Sequence, residues 1–391
     1  MNQLRYRSDM EGLRAVAILA VVAAHAGVPW LAGGFVGVDV FFVLSGYLIT
    51  GLLVEEHRAQ GRIDLSAFYA RRFRRLLPAL LVMLVVTCGL GRLLLSPGDQ
   101  PAHAVAAAAA AVWLSNFHFA FSNLDYFSPG ADTNLFLHTW SLGVEEQFYL
   151  IWPALLILTM GRWQTKCNEV GRLRVVMLLV LLTSLLACVL LTPHSPLVAF
   201  YLMPARAWQF ALGALAFLWF GGLAVEDRSV ASADPLKALS SGLSTQPSLP
   251  SWAGWLGLAL IAAAAAGFDK QMLYPGFWAL VPSVGAALIL VAGARRYSGG
   301  VGALLSLRPM QAIGRVSYAL YLWHWPVLLL GVAVVGTPSW LQRFSWVVIS
   351  LALAALSYRF VETPIRRRLW MKASPKVVLL GAVSLMICAN A

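Results

Sequence analysis

Apolar runs long enough to cross a bilayer recur along the whole chain, near residues 11–29, 35–54, 78–96, 138–159, 174–192, 202–220, 253–267, 277–293, 312–333, 342–360 and 377–391. A span needs about 20 apolar residues, with shorter or tilted ones tolerated. In hydrocarbon every backbone N–H and C=O has to be bonded internally, which segments of this length achieve as helices. The fold class expected is therefore all-α, a polytopic membrane helix bundle of ten core spans plus a final eleventh. Composition agrees. Of the 391 residues 60% are hydrophobic and only 12% charged, where a soluble domain carries about 25% charged residues.

The net charge of +12 is distributed between the apolar runs and not gathered on one polar domain. Arg58, Arg62, Arg71, Arg72, Arg74 and Arg75 lie in 55–77, and Arg162, Lys166, Arg172 and Arg174 in 161–174. Arg295, Arg296 and Arg308 lie in 294–311, and Arg366, Arg367, Arg368, Lys372 and Lys376 in 362–376. These four segments read as cytoplasmic by the positive-inside rule, which explains the charge better than a nucleic-acid partner does. An even number of crossings must join the first two, and 78–96 with 138–159 supply it. The alanine-rich stretch 103–121 is then interfacial, re-entrant or packed in the bundle. Eleven spans place the N-terminus inside and the C-terminus outside. Residues 221–252, rich in Ser, Gly, Pro and Leu, read as a flexible cytoplasmic loop. The expected organisation is a membrane domain over 1–370 containing that loop, followed by an extra span over 371–391. The four cysteines show neither metal nor redox spacing.

Ionisable residues inside apolar runs mark the places to look for chemistry, because each costs on the order of 2.5–3.5 kcal/mol to insert. Arg14 and His25 sit eleven residues apart in the first run. At 100° per residue they share one helix face, about 16 Å apart along the axis. That suits a long ligand with a charged head at one surface and a reactive group within. Asp39 adds a carboxylate in the second run, beside Ser45 and Tyr47; pairing with an arginine purely for packing is its structural alternative. The cluster Arg71, Arg72, Arg74 and Arg75 before Pro78 is an ordinary cytoplasmic signal, yet arginine without lysine also suits bidentate grip on phosphate. The block from His138 to Pro153 holds Trp140, Ser141 and the adjacent Glu145 and Glu146. Adjacent carboxylates point about 100° apart, so they cannot share one role. The block 313–326 ends in Tyr321, Leu322, Trp323, His324, Trp325 and Pro326, where packing or an interfacial aromatic belt is the plainer use.

In this order, these blocks resemble the membrane acyltransferase-3 family, in particular its bacterial branch that O-acetylates surface polysaccharides. The resemblance covers essentially the whole chain. It rests on Arg14-x10-His25, Phe-Phe-Val-Leu-Ser-Gly-Tyr-Leu-Ile (41–49), the arginine loop ending at Pro78, and His-Thr-Trp-Ser-Leu-x-x-Glu-Glu-Gln-Phe-Tyr from His138. Ser-Tyr-x-Leu-Tyr-Leu-Trp-His-Trp-Pro (317–326) and Ser-Tyr-Arg-Phe-Val-Glu-x-Pro (357–364) complete it.

The resemblance implies acetyl transfer from cytoplasmic acetyl-CoA to a hydroxyl of an extracytoplasmic glycan such as lipopolysaccharide O-antigen, exopolysaccharide or peptidoglycan. It also implies a multi-pass protein of the bacterial inner membrane. Arg14 and His25 map onto the family's essential pair, and Arg72 and Arg75, with Arg71 and Arg74 beside them, onto its coenzyme-binding motif. His25 would serve as base or transient acyl acceptor, with Asp39 or Glu145 orienting its ring. Ser45, Tyr47, His138, Trp140, Ser141, Glu146, Arg206, Tyr321 and His324 are candidate substrate contacts or supports. No metal is implied. Many relatives carry Glu where this chain has Gln209, and many continue into an outer SGNH-type esterase domain. The chain is thus expected to be the membrane half of a longer protein, or to hand its acyl group to a separate outer partner. The alternative from another class is a glycolipid or small-molecule transporter or flippase, which also needs buried charge and broken helices.

The charge distribution makes a topological prediction. In intact cells a membrane-impermeant thiol reagent labels Ser128→Cys and spares Ser240→Cys; labelling of the second position reverses the assigned orientation.

Overall fold

The computed structural model describes residues 7–122, 124–127, 133–160, 169–221, 249–293, 300–366 and 375–388. No strand occurs among them, and the chain is a bundle of helices as its apolar periodicity predicts. Helices α1 (Ser8–His25), α2 (Gly37–Gln60) and α3 (Leu65–Leu94) are followed by two short ones, α4 (Gln100–Ala111) and α5 (Ser115–Phe121). Then come α6 (Trp140–Met160), α7 (Glu169–His194), α8 (Pro196–Tyr201), α9 (Met203–Ala216), α10 (Trp252–Gly267) and α11 (Leu280–Ala292). The last third holds α12 (Val301–Leu305), α13 (Arg308–Arg315), α14 (Ser317–Val335), α15 (Trp340–Ser357) and α16 (Pro375–Cys388).

Five helical stretches are long and apolar enough to cross a membrane by length and composition: Pro29–Gln60, Leu65–Leu94, Glu169–His194, Ser317–Val335 and Trp340–Glu362. Trp252–Gly267 and Leu280–Ala292 are shorter apolar helices. The alanine-rich stretch breaks at Trp113, which takes a φ of 55°. Its longer piece, α4, has 12 residues and reaches about 18 Å, short of a hydrocarbon core of about 30 Å. Residues 222–248, most of the segment read as a cytoplasmic loop, lie outside the described residues. α16 lies against α3 with Val378 and Ala382 buried.

Local sequence sets the helix ends that matter. Gly61, at φ 70°, closes α2 in the left-handed conformation that glycine adopts without a Cβ penalty. Asp64 then caps α3, accepting from the Ala67 N–H at 2.9 Å and the Ser66 hydroxyl at 2.7 Å. Those donors hold its carboxyl below the ordinary carboxylate range. α15 starts on a reciprocal capping box between Ser339 and Gln342.

α1 is an interior helix. Leu13, Ala15, Ala17 and Ile18 are fully buried, and the helix packs against the 3-10 segment Pro29–Val36, α2, α13 and α14. Its two chemical residues therefore face protein and not lipid. α2 and α9 cross at near backbone contact. A Cβ on Gly46 would stand 1.9 Å from the Phe210 carbonyl oxygen, and one on Gly213 1.9 Å from that of Val43. Small residues permit such approach where helices associate by packing alone.

Because that crossing holds Asp39 beside Arg206, bulk there should cost fold and site together. Gly46→Val or Gly213→Val should sharply reduce the folded, monodisperse fraction in detergent, measured by size exclusion and thermal unfolding. Wild-type yield and melting temperature for both variants would show that the crossing is not needed.

Candidate functional site

The end of α1 presents His25 to three aromatic neighbours. Its Nδ1 lies 2.9 Å from Nε2 of His324, and its Nε2 lies 2.8 Å from the Tyr126 hydroxyl. The Trp325 ring meets it edge-on at 4.6 Å between centroids. Proton positions follow from the partners. Nδ1 of His324 faces the Tyr321 carbonyl at 2.8 Å and the Leu320 carbonyl at 3.1 Å. Carbonyls only accept, so this nitrogen carries the proton and, in a neutral ring, Nε2 of His324 is a lone pair. His25 must then donate to it from Nδ1, which leaves Nε2 of His25 as the acceptor of the Tyr126 O–H. In that tautomer the His25 imidazole accepts from the tyrosine hydroxyl. Past His25 the chain turns at Gly27, φ 78°, and Arg343 donates from Nη1 to the Ala26 carbonyl at 3.0 Å. A cation at a helix C-terminus opposes the partial negative charge there.

Arg14, about 16 Å along the same helix, opens onto a cavity of about 40 Å³. Arg72 and Arg75 of α3, Glu145, Glu146 and Tyr149 of α6, and Tyr318 of α14 share its lining. The Arg72 guanidinium lies 3.5 Å from the centre of the Tyr149 ring. Glu145 accepts from the hydroxyls of Ser45 and Tyr149, while Glu146 has Arg72 and Arg75 as its opposite charges. The two carboxylates thus take different partners although both reach the cavity. Arg14 and Arg72 each keep a buried Nε without a partner, which suits a further anionic ligand. Arg71 is instead tied to Glu56 at 3.1 Å on the surface, and neither it nor Arg74 lines the cavity.

Three helices connect the two ends with polar side chains at helical spacing. α1 contributes Arg14 and His25, α6 contributes Glu145 and Ser141 with His138 in the 3-10 turn Leu137–Thr139 just before it, and α14 contributes Tyr318, Tyr321 and His324. Residues three, four or eleven apart share one helix face, so each set forms a stripe. Tyr321 donates to the His138 carbonyl at 2.8 Å, and Ser141 lies 2.6 Å from the Tyr321 oxygen. The His138 ring stands edge-on to His324, with centroids 5.7 Å apart, and its nitrogens meet no side-chain partner.

Asp39 and Arg206 form the buried charge pair of the bundle, 3.0 Å apart and each about 1% exposed. Gln209 donates to Asp39 at 2.5 Å, and Tyr274 donates to its other oxygen. An amide at 209 supplies a donor where a carboxylate would repel. The Arg206 guanidinium lies 5.7 Å from the Trp140 ring and 5.2 Å from Phe200. Phe200 in turn stacks on Tyr126 at 5.0 Å. Asp39 therefore supports the site through Tyr126 and does not touch His25. Neither does Glu145. The orienting partner expected to be one of these carboxylates is His324, because Asp39 is held by a full charge and Glu145 by two hydroxyls. Tyr47 is also drawn away, accepting from Arg7 at 2.9 Å.

Tyr126, the hydroxyl on the base, escaped sequence reasoning because it sits in a short polar connection with no periodicity. Tyr149 and Tyr318 carry no signal in the sequence beyond membership of their aromatic blocks.

The family model for the acyltransferase domain matches residues 7–389, and the chain belongs to this acyltransferase family. YrhL of Bacillus subtilis is 34% identical over 390 residues, covering 96% of this chain and 57% of the relative. The peptidoglycan O-acetyltransferase OatA of Listeria monocytogenes is 33% identical over 370 residues, covering 93% and 56%. The O-acetyltransferase OatA of Staphylococcus aureus is 32% identical over 374 residues, covering 94% and 58%. The chain spans less than two thirds of the length of these relatives. No solved structure matches it.

The Asp39–Arg206 pair makes a sign prediction. Removing one partner strands a buried charge, at a cost of about 3–5 kcal/mol, whereas replacing both with apolar residues of similar size is often tolerated. Asp39→Leu alone should unfold the protein at lower temperature than Asp39→Leu combined with Arg206→Met. Equal melting temperatures for the two variants would remove the ion pair from the account of stability.

Proposed function

We propose that the chain transfers an acetyl group from cytoplasmic acetyl-CoA to a hydroxyl of an extracytoplasmic cell-wall glycan, with peptidoglycan the first acceptor to test. The observation that carries this is the joining of two chemically distinct ends by the three polar stripes. At one end, arginines with unused buried N–H groups suit the phosphates of a coenzyme, since the guanidinium fork matches phosphate oxygens. At the other, a neutral imidazole accepts from a hydroxyl, the arrangement of a general base on its nucleophile. The names of the OatA relatives support an acetyl group and a cell-wall acceptor. Family membership favours transfer over the transporter alternative.

In this mechanism Arg14, Arg72 and Arg75 hold the coenzyme at the arginine end, and its thioester arm follows the polar stripes toward His25. The acyl-CoA supplies the activated acetyl group. His25 takes the Tyr126 proton on Nε2 while the tyrosine oxygen attacks the acyl carbon. Tyr126 then passes the acetyl group to the glycan hydroxyl, directly or through an outer esterase-type partner. His324 and Trp325 keep the base in register, and the Asp39–Arg206 network holds Tyr126 through Phe200.

Purified protein in lipid nanodiscs, given acetyl-labelled coenzyme, should form base-labile acetyl ester on Tyr126, and on peptidoglycan fragments only slowly unless an outer esterase-type partner is supplied. His25→Ala and Tyr126→Phe should each lower that rate by about 10²-fold or more, the usual weight of a positioned base or nucleophile. Arg72→Ala and Arg75→Ala should raise the KM for acetyl-CoA, with Lys rescuing poorly for want of the bidentate fork. Ester formation unchanged in His25→Ala would overturn the mechanism. Unchanged coenzyme affinity in both arginine variants would remove the cavity from it.

A further inference from the structure

We propose that His324 is a proton acceptor in its own right, and that transfer moves two protons through a pair of imidazoles where other hydrolase-like sites use a carboxylate. The proposal rests on the acyl-transfer mechanism above and concerns where the proton goes once His25 has taken it.

Geometry supplies the path. The His25 and His324 rings lie within 6° of parallel, with centroids 5.2 Å apart, and their facing nitrogens are 2.9 Å apart. The carbonyl partners of His324 force its Nδ1 to hold a proton, so its Nε2 lone pair receives the Nδ1–H of His25. A ring that only fixed orientation would need one acceptor atom. This one also has a far side prepared for positive charge, with two main-chain oxygens on Nδ1 at 2.8 and 3.1 Å. Hydrogen bonds from an ionised donor are roughly twice as strong as neutral ones. The same two contacts therefore strengthen as His324 becomes a cation. Both buried carboxylates that could have taken this place are committed, Asp39 to Arg206 and Glu145 to Ser45 and Tyr149. A neutral second imidazole also spares the resting site an uncompensated buried anion, which in this apolar setting would be costly. His138 stands near the pair, but its ring is bonded to neither histidine.

The step balances. As the Tyr126 oxygen bonds to the acyl carbon, its proton passes to Nε2 of His25, and the Nδ1 proton of His25 passes to Nε2 of His324. The carbonyl π pair moves onto the carbonyl oxygen and returns as the carbon–sulfur bond breaks with its electron pair on sulfur. Both protons then shift back, one to Nδ1 of His25 and the other from Nε2 of His25 to the departing thiolate. No oxidant, metal or extra reactant enters.

His324→Gln tests this, because the Gln side-chain oxygen can accept from Nδ1 of His25 but cannot take up its proton. In nanodiscs the variant should keep the wild-type KM for acetyl-CoA and the wild-type melting temperature while kcat falls by about 10²-fold. The wild-type rate plotted against deuterium fraction in the solvent should bow, as two protons in flight require, and that of the variant should be straight. Added imidazole should partly restore His324→Ala. A readout independent of turnover comes from 15N-histidine-labelled protein, in which both His25 and His324 should be protonated at Nδ1 at rest. His324→Gln turning over within threefold of wild type, a straight wild-type plot, or the Nε2–H tautomer at His324 would each overturn the relay. A wild-type chain that forms no acetyl ester while showing the expected tautomers would instead sink the acyl-transfer reading.

Discussion

A charge pair with almost no solvent, Asp39 against Arg206, is the interaction on which the arrangement of this bundle depends. It joins α2 to α9, and through Gln209 and Ser283 it reaches α11. Tyr274, in the connection before α11, closes the network on the second carboxylate oxygen. Two ions taken out of water repay their desolvation only when geometry is good and the remaining lone pairs are met. Here the carboxylate has three side-chain donors, two from α9 and one from the connection before α11. The glycine crossing of α2 and α9 brings the backbones close enough for the pair to form. The guanidinium then offers its flat face to Phe200 and Trp140, so that the ionic network becomes the floor of an aromatic wall ending at Tyr126.

The functional polar groups obey the same rule in a less complete form. A polar atom inside an apolar bundle is expected to have its partner within the protein. Glu145, Ser141 and Tyr321 comply. Arg14, Arg72 and His138 leave nitrogens without a side-chain partner, and two of these line the same cavity. Incomplete satisfaction is a cost to the resting fold, and it also occurs away from the stripes, at Thr87, Trp208 and Gln209. The open N–H groups of Arg14 and Arg72 around that cavity are ones an anionic ligand would satisfy.

The amino-acid pattern revealed much of this and hid a definable remainder. Period and length alone showed the helical class, and the shared face of Arg14 and His25 needed only the pitch of a helix. Arg72 and Arg75 were legible as arginines in a helix-opening cluster. Their separation from Arg71 was not, because the surface acid that claims Arg71 is on another helix. The partner of His25 was misassigned for a related reason. His324 is 299 residues away, and a nearby carboxylate looks like the better orienter until one sees that an arginine already owns it. Tyr126 lies in a turn whose sequence carries no periodicity. Pairings across such separations are decided by packing, which a linear pattern does not encode.

α1 joins the two ends of the site without a break, since no proline or glycine kink separates Arg14 from His25, and Arg343 braces its far end. The helix is therefore a ruler. Adding one residue between its two marks would turn His25 by about 100° away from His324 and move it about 1.5 Å. Insertions and deletions would be tolerated there only in steps near a whole turn, and even those would change the reach demanded of the donor. Under the proposed transfer, that spacing would be a length code for the donor, fixed by the geometry of one helix.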